Sequence, residues 1–285
     1  MTILTIWSES GGVGKTTTCL NLAAALGRRE YDVLVVDMDS QPGSITDYAG
    51  FPAAKTTTDG PTITDVFLED APIESVVESG EHFDLVPGHE SLATLESTVR
   101  AKQLTAAEFL LRTALTTVES EYEFILIDPP ATLNLLVDNA LIASGRLLIP
   151  MEMTRKGKRS VMGVLETARA LETQLQRAQP EFTLDVVGVV PNRVTAASLH
   201  ESIADQLREE LASTDVPILD VSIPAYNVLE STWAAQLDIF TYAEEVGLRQ
   251  YQTALLDAYD DLADLVAGMG VDPTVTETEA EVLAR

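Results

Sequence analysis

The chain opens with an apolar run, a glycine-rich loop and a helix-forming segment, a combination that few folds can accommodate. Residues 9–17 read E-S-G-G-V-G-K-T-T. Three glycines allow the backbone to turn so that its N–H groups point inward at a helix amino terminus, a geometry that binds phosphate. The alternative is a glycine-rich turn with an incidental lysine. The strand-like run before the loop and the helix pattern after it favour phosphate binding.

The residues of this loop have separate predicted roles. Lys15 would bring a positive charge to the β- and γ-phosphates of a nucleotide, and the Thr16 hydroxyl is suited to bind Mg²⁺. The strict form of the motif requires glycine five positions before Gly14, where this chain has Glu9. Four residues would supply the backbone N–H groups around the phosphates: Gly11, Gly12, Val13 and Gly14.

Three aspartates strengthen the nucleotide interpretation, because each lies at the end of an apolar strand-like run. Asp37 and Asp39 flank a methionine after one run, and Asp128 ends the run F-I-L-I. Ligands of open parallel sheets bind at the carboxyl ends of the strands. Asp128 has the expected position of a carboxylate that orients Mg²⁺ through water. A single acid at such a place is more often a strand-end cap, but three beside a phosphate loop favour nucleotide chemistry.

The remaining pattern predicts an α/β fold with a doubly wound, mostly parallel sheet and helices on both faces, because strands alternate with helices. Residues 47–62 carry Gly, Pro and Thr without a period and are predicted to be a loop. We expect one domain over residues 1–268 and an acidic tail without stable structure over residues 269–285. The predicted strands are residues 3–7, 33–36, 83–86, 124–127, 147–149, 184–190 and 218–221. The predicted helices are residues 16–26, 104–119, 158–178, 198–211 and 246–266.

Composition narrows the function classes. The chain has 45 acidic and 18 basic residues, a formal net charge of −27, and the acids are spread along its length. An acidic surface that repels partners would explain this balance, but a protein kept soluble in molar salt, as in halophiles, explains it better. No apolar run approaches the roughly 20 residues of a membrane span. The amino terminus lacks a basic signal-peptide region, and one cysteine excludes an internal disulfide. We expect a soluble, cytoplasmic protein.

Six stretches together carry a resemblance to a known family. They are G-G-V-G-K-T-T-T, V-V-D-M-D-S-Q-P-G-S, D-L-V-P-G-H, F-I-L-I-D-P-P-A-T-L, L-L-I-P-M-E and S-I-P-A-Y-N-V-L-E-S. In this combination the chain resembles the ParA/MinD superfamily of dimeric P-loop ATPases, and most closely the ParA-type DNA-partitioning ATPases, over about residues 1–266. The resemblance implies ATP and Mg²⁺ as ligands and a homodimer that forms on ATP binding. It also implies slow hydrolysis, stimulated by a separately encoded ParB-like or adaptor protein.

The resemblance assigns roles that the spacing alone does not. Asp39 would position the attacking water and act with Lys15 in catalysis, whereas Asp37 would support the metal shell. Thr17 would contact the α-phosphate. Asn192, in V-V-P-N-R, matches an asparagine that contacts adenine in MinD-like relatives, although a turn asparagine after a proline explains it equally well.

Ser10 departs from the family pattern. Family members normally carry a lysine here, which reaches the phosphates of the partner subunit in a nucleotide-sandwiched dimer. A serine side chain is too short and carries no charge. Since a cation of this kind contributes about 10³–10⁵ in rate to phosphoryl transfer, either hydrolysis is very slow or another base takes its place.

A basic run is the candidate replacement. Four of the 18 basic residues fall within five positions after the L-L-I-P-M-E strand. In the family this segment lies near the dimer face, so the run is predicted to contact phosphate in trans or to contact DNA. A solvated helix start is the alternative, but cations disfavour a helix amino terminus. The four bases are Arg155, Lys156, Lys158 and Arg159.

The sequence offers few cations for DNA binding near the last helix and no segment suited to a membrane surface. DNA-binding relatives often have lysines just before the last helix, where this chain has Glu244 and Glu245 with only Arg249 nearby. A MinD-like membrane regulator needs a carboxyl-terminal amphipathic helix with a basic face, which the acidic tail does not supply. The sequence therefore predicts a ParA-like ATPase that positions DNA or another cargo. A non-hydrolysing ATP-gated switch is the main alternative, and a MinD-like regulator is the next.

Overall fold

The computed structural model describes residues 1–195, 199–212, 214 and 216–270. The strands are β1 (Thr2–Ile6), β2 (Val33–Asp37), β3 (Asp84–Val86), β4 (Phe124–Asp128), β5 (Arg146–Glu152) and β6 (Asp185–Asn192). The helices are α1 (Lys15–Gly27), α2 (Ile45–Tyr48), α3 (Ile63–Leu68), α4 (Leu95–Lys102), α5 (Leu110–Leu115), α6 (Leu135–Ser144), α7 (Arg155–Leu175), α8 (Leu199–Leu211), α9 (Val228–Ala235), α10 (Ile239–Glu245) and α11 (Ala254–Gly270). The predicted tail lies almost entirely outside the described residues.

The described strands form one sheet in the order β3-β2-β4-β1-β5-β6, and every pairing in it is parallel. This confirms the predicted doubly wound α/β fold. The order places the ends of β2, β4 and β1 side by side. Asp37 and Asp128 are register partners on adjacent strands, next to the loop that comes after β1. The sheet therefore brings the strand-end acids and the glycine-rich loop to one edge.

Alternating side chains cover the two faces of the sheet. Leu4, Val35 and Leu126 point to a core shared with α1, α10 and α11, whereas Leu34 and Ile125 point to a core shared with α3 to α6. On the second face, β5 and β6 pack against α7 and α8 in a further cluster that contains Trp7. Because both faces are buried, the strands read as continuous apolar runs.

Several predicted elements differ from the structure. Residues 218–221 form no strand, since Ile218 makes only an isolated parallel bridge to Val189. The predicted helix at 104–119 is a 3₁₀ turn, Ala107–Phe109, followed by the short α5. The last helix begins at Ala254 and not at 246, because Gly247 has a φ of +94° after α10 and breaks the pattern. Residues 47–62, predicted as a loop, contain the end of α2 and the 3₁₀ turn Pro52–Lys55.

The most informative missed helix is α6, which the sequence pattern concealed because it is apolar on nearly every side. Asn134 caps it by accepting hydrogen bonds from the N–H groups of Leu136 and Val137. The helix buries most of its length between the sheet and neighbouring helices. The loop between Asp128 and α6 lies against the sheet. There the Trp7 indole donates a hydrogen bond to the Pro130 carbonyl oxygen at 3.0 Å.

Candidate functional site

The glycine-rich loop joins β1 to α1 and leaves the start of the helix open. Gly12 and Gly14 adopt left-handed φ values of +75° and +90°. A side chain is unfavourable at Gly14 for two reasons: the φ value is left-handed, and a Cβ atom would lie 2.5 Å from Nδ2 of Asn192. No described side chain caps α1 at its amino terminus. The first N–H groups of the helix are thus available to an anion, as the loop prediction requires.

Lys15 folds back over this loop. Its side chain is largely buried, and Nζ donates a hydrogen bond to the carbonyl oxygen of Ser10 at 3.1 Å. Burial lowers the pKa of the Lys15 ammonium, while the nearby charges of Asp128 and Asp39 act in the opposite direction. The structure therefore brings the predicted lysine and two of the predicted acids together at the loop. Thr16 and Thr17 occupy the next two positions of α1, and Thr17 is buried.

Asp128 is a buried acid whose side-chain oxygens accept no well-formed hydrogen bond from the described residues. It ends β4, only 1% of its surface is exposed, and neither carboxylate oxygen accepts a hydrogen bond of normal geometry from any described residue. Burial, with a further contribution from the negative charge of Asp37, raises the pKa of Asp128 to about 8, although the nearby Thr16 hydroxyl and Lys15 ammonium act in the opposite direction. A buried unpaired carboxylate is costly by several kcal/mol. Such an orphaned acid at the end of a strand is the expected state of a group that binds a cation.

The residues around Asp128 fit a magnesium ion. Carboxylate and hydroxyl oxygens are the hard ligands that Mg²⁺ prefers, and Mg²⁺ usually keeps waters and nucleotide oxygens in its shell. Asp128 and the Thr16 hydroxyl offer such oxygens beside the loop. In the part of the chain that the structure describes, no cluster of three or more His, Cys, Asp or Glu side chains could hold a metal alone. The site therefore suits a metal that arrives with a nucleotide.

Asp37 is buried like Asp128, but its carboxylate is fully engaged. Oδ2 accepts hydrogen bonds from the Ser44 hydroxyl and from both the N–H and the hydroxyl of Thr46, and it pairs with Lys55 Nζ at 3.3 Å. Oδ1 accepts a hydrogen bond from the N–H of Asp39 at 2.9 Å. The metal role that the resemblance implies for Asp37 stays a prediction, and these contacts favour a structural role instead.

Asp39 lies at the border between the loop and solvent. Its Oδ1 accepts a hydrogen bond from the N–H of Gln41 at 2.9 Å. Burial is the main cause that raises the pKa of Asp39, and the Asp37 charge adds to it. Asp39 also lines a cleft of about 310 Å³ whose other wall carries Pro130 and Asn134 from the segment after β4. The acid is thus near Lys15 and open to solvent molecules.

A second cleft continues from the phosphate loop toward the carboxyl-terminal half of the chain. It has a volume of about 330 Å³ and a mixed polar and aromatic lining. Asn192 lies at its base, where its Nδ2 donates a hydrogen bond to the Thr18 hydroxyl at 3.1 Å. The size and position of the cleft suit a nucleoside attached to phosphates on the loop. Its principal lining residues are Gly12, Thr17, Asn192, Arg193, Tyr226 and Trp233.

The sequence analysis missed Arg193 at this cleft. The residue adopts a left-handed φ of 54°, and its guanidinium donates a hydrogen bond to the Gly12 carbonyl oxygen at 2.9 Å. This contact fastens the end of β6 to the phosphate loop. Its signal in the sequence is its place directly after Asn192 in V-V-P-N-R.

The four bases of the basic run do not all lie on one face of α7. Thr154 caps α7 by accepting a hydrogen bond from the Gly157 N–H. Lys158 is half-buried and forms an ion pair with Glu210 of α8 at 2.8 Å.

Another face of α7 lies near the residues that precede the phosphate loop. The Ser160 hydroxyl on this face lies 3.3 Å from the Ser8 hydroxyl. Lys156 is one turn before Ser160 and shares that face, because residues i and i+4 are neighbours on a helix. Arg155, Lys156 and Arg159 are exposed.

The chain is similar in sequence and in fold to known proteins. Residues 1–182 match a family model described as "AAA domain". The chain is 33% identical over 211 residues to the chromosome partitioning protein ParA of Myxococcus xanthus, which covers 73% of this chain and 70% of that protein. The fold is similar to a McdA–ATP complex from Cyanothece, with a TM-score of 0.74, 20% identity and coverage of 95% and 97%. It is also similar to the septum site-determining protein MinD complexed with Mg-ADP from Pyrococcus horikoshii, with a TM-score of 0.69, 24% identity and coverage of 95% and 99%.

Proposed function

The chain belongs to the ParA/MinD superfamily of P-loop ATPases, and from that premise we propose that it is a ParA-type ATPase that dimerises on Mg-ATP. It acts in DNA segregation or in positioning another cargo, in the cytoplasm, with a separately encoded ParB-like or adaptor protein. The observation that carries the proposal is the convergence of Lys15, the unpartnered Asp128 and the solvent-facing Asp39 on one phosphate loop. No described helix could span a membrane by its length and apolar character.

Each residue has a definite task in this proposal. The N–H groups of the loop and Lys15 hold the phosphates, and the cleft at Asn192 receives the nucleoside. Thr16 and Asp128 would hold Mg²⁺, which would neutralise charge that develops on the phosphate oxygens. Asp39 accepts a hydrogen bond from the attacking water and orients it toward the γ-phosphate. Asp37 and Lys55 hold the main chain of Asp39, because Asp37 accepts a hydrogen bond from its N–H and Lys55 donates one to its carbonyl oxygen.

Lys15 is the direct test of nucleotide binding. We expect Lys15→Ala to abolish measurable Mg-ATP binding in calorimetry, because the loop concentrates the phosphate charge on this ammonium. Lys102→Ala is the matched control, since Lys102 pairs only with Glu69 on the surface in the described structure. Wild-type affinity in the Lys15 variant would remove the basis of the proposal.

Lys156 is proposed as the replacement for the family lysine absent at Ser10. Its face of α7 lies against the residues just before the loop, as the Ser8–Ser160 contact indicates, whereas Lys158 is turned toward Glu210. In a dimer joined through the nucleotides, a base on the helix face of Lys156 and Ser160 can reach the phosphates bound by the partner subunit. The mean field of the acidic chain disfavours diffuse DNA attraction, which also favours this role over DNA contact.

A pair of serine substitutions separates these possibilities. Lys156→Ser should weaken the ATP-bound dimer and lower turnover by at least tenfold, and Ser10→Lys should restore part of both losses. Lys158→Ser is the matched control, with the dimer and turnover expected to remain within about twofold of wild type. If Lys156→Ser leaves both unchanged but removes ATP-dependent DNA retention, the base contacts DNA. Retention would then weaken with salt with a slope of about −0.9 per phosphate neutralised.

A non-hydrolysing ATP-gated switch is the second candidate, and the serine at position 10 is the observation that favours it. In that case ATP binding and dimerisation persist, but no phosphate is released in single-turnover measurements with the wild-type protein. The two candidates share every binding residue and differ only in the rate of the chemical step.

A further inference from the structure

Lys55 is a buried lysine that the proposed chemistry does not use directly. It ends the 3₁₀ turn Pro52–Lys55, in a segment whose sequence predicts only a loop, and it is 5% exposed. Its ammonium forms the 3.3 Å ion pair with Asp37 and also donates a hydrogen bond to the main-chain carbonyl oxygen of Asp39. Burial of an ammonium is costly unless it is paired and hydrogen-bonded. The position of Lys55 is therefore specified by these two contacts.

The partner of Lys55 is enclosed on its remaining sides. Ser44 and Thr46, at the start of α2, direct three donors at the Asp37 carboxylate. Behind it, the Gly88 N–H donates a hydrogen bond to the Thr46 hydroxyl at 2.8 Å. A Cβ atom at Gly88 would lie 2.7 Å from Cγ of Asp37, so the carboxylate is in close contact with the backbone after β3. These contacts leave little room for a metal ion at Asp37.

Asp39 is held between the two charges. Its N–H donates a hydrogen bond to Asp37 Oδ1, and its carbonyl oxygen accepts one from Lys55. Both main-chain polar groups of Asp39 are thus bound to a single buried ion pair. A buried network of this kind is rigid when its members are satisfied, and rigid support is what holds a reacting side chain in a productive geometry.

We propose that Lys55 is a positioning residue, and that the Asp37–Lys55 pair acts as a buried clamp that fixes the backbone of Asp39 and so aims its carboxylate. This inference rests on the proposed function for the role of Asp39, but the clamp itself does not depend on hydrolysis. It assigns Asp37 to the clamp and leaves Asp128 and Thr16 as the metal-binding residues of this chain.

Lys55→Met tests the clamp, with Lys102→Met as the matched control for the same change in a surface ion pair. We expect Lys55→Met to lower kcat by at least tenfold while the KM for ATP stays within about threefold, because the phosphate loop is untouched. The Mg²⁺ concentration for half-maximal activity should not move. Asp37→Asn should show the same pattern, and the double variant should lose little beyond the worse single variant, since both changes break one unit.

Hydrogen exchange of residues 39–43 gives a readout that needs no turnover. We expect at least tenfold faster exchange in Lys55→Met than in Lys102→Met. Wild-type kcat and exchange in Lys55→Met, or additive losses in the double variant, would overturn the clamp. A raised Mg²⁺ requirement confined to Asp37→Asn would instead make Asp37 a metal ligand.

Lys55→Gln, whose shorter side chain has no charge, serves the same tests if the methionine variant does not fold. Absence of turnover in wild type contradicts the proposed function, while the exchange data still judge the clamp.

Discussion

Asp37 and Asp128 are adjacent in the sheet, register partners at the ends of neighbouring strands, and almost completely buried. Their surroundings are nevertheless opposite. Asp37 receives four donors and a lysine, whereas Asp128 receives no hydrogen bond of normal geometry from the described residues. A strand-end aspartate can therefore serve either the fold or a ligand, and the donors around it decide which.

The difference has a structural origin in the segment after each strand. After Asp37 the chain turns through Gly43 into α2, and the small hydroxyl residues at its start reach back to the carboxylate. After Asp128 come two prolines, which have no N–H groups to donate. One acid is therefore satisfied by its own segment, and the other remains available to a cation.

The largest expected effect concerns Asp39, which is bound through its backbone to the satisfied acid but faces solvent. We expect Asp39→Ala to lower ATP turnover by about 10²–10⁴-fold, the usual range for a group that assists proton transfer or orients water. ATP binding should remain near wild type, and an ATP-bound dimer should accumulate in size-exclusion experiments. Unchanged turnover in a purified protein would transfer the catalytic role to another group and weaken the proposed function.

The next effect is on folding stability and separates the two buried acids. Asp37→Asn leaves Lys55 buried without its counter-charge, and loss of one partner of a buried pair costs about 3–5 kcal/mol. Asp128→Asn removes a buried acid that must take up a proton when the chain folds at neutral pH, so the apoprotein should be as stable as wild type or more stable. Urea unfolding of both variants measures the contrast, with the exposed Asp185→Asn as control. Equal losses for the two variants would contradict the assigned roles.

The sequence predicted the parts of this site that depend on local pattern. The phosphate loop, its lysine and the strand-end acids are all recognisable from spacing along single strands and the strand–loop–helix unit, and the alternation of strands and helices predicted the parallel sheet. The family resemblance added the water-positioning role of Asp39 and added Asn192 as a candidate, and the described positions of both residues beside the loop are compatible with those roles. These features need no knowledge of distant contacts.

The parts that the sequence did not predict depend on distant contacts. Lys55 lies 18 residues after Asp37 in a segment with no helical or strand period, and only the fold shows that its ammonium reaches the acid. Arg193 meets Gly12 across 181 residues of sequence. The basic run is one cluster in the sequence, but the helix separates its members. Lys158 pairs with Glu210 of α8, whereas Lys156 shares the helix face of Ser160, which contacts Ser8.

A smaller effect is expected on metal affinity. Asp128→Asn replaces a charged ligand group with a neutral one, and we expect the Mg²⁺ concentration for half-maximal ATP binding to rise by about 10–100-fold. Asp37→Asn should leave this concentration within about twofold, if its carboxylate serves the clamp. Titration of Mg²⁺ at fixed ATP, followed by calorimetry, compares the two. A larger shift for Asp37→Asn than for Asp128→Asn would reverse the comparison.

The smallest expected effect is the pH dependence that the raised pKa of Asp128 gives to the folding stability. Its pKa is about 8 in the folded apoprotein, against 3.8 for an ordinary aspartate. Between these two values the folded chain retains a proton that the unfolded chain has lost. The free energy of unfolding should therefore fall as the pH rises from about 4 toward 8, by at least about 1 kcal/mol between pH 5 and 7.5.

Asp128→Asn should lack this slope, so the difference between the two curves of unfolding free energy against pH isolates the contribution of Asp128. Saturating Mg-ATP should flatten the wild-type curve, because a bound cation stabilises the charged carboxylate. A wild-type curve parallel to that of the asparagine variant would show that Asp128 is already ionised in the apoprotein, and that some donor satisfies it as others satisfy Asp37.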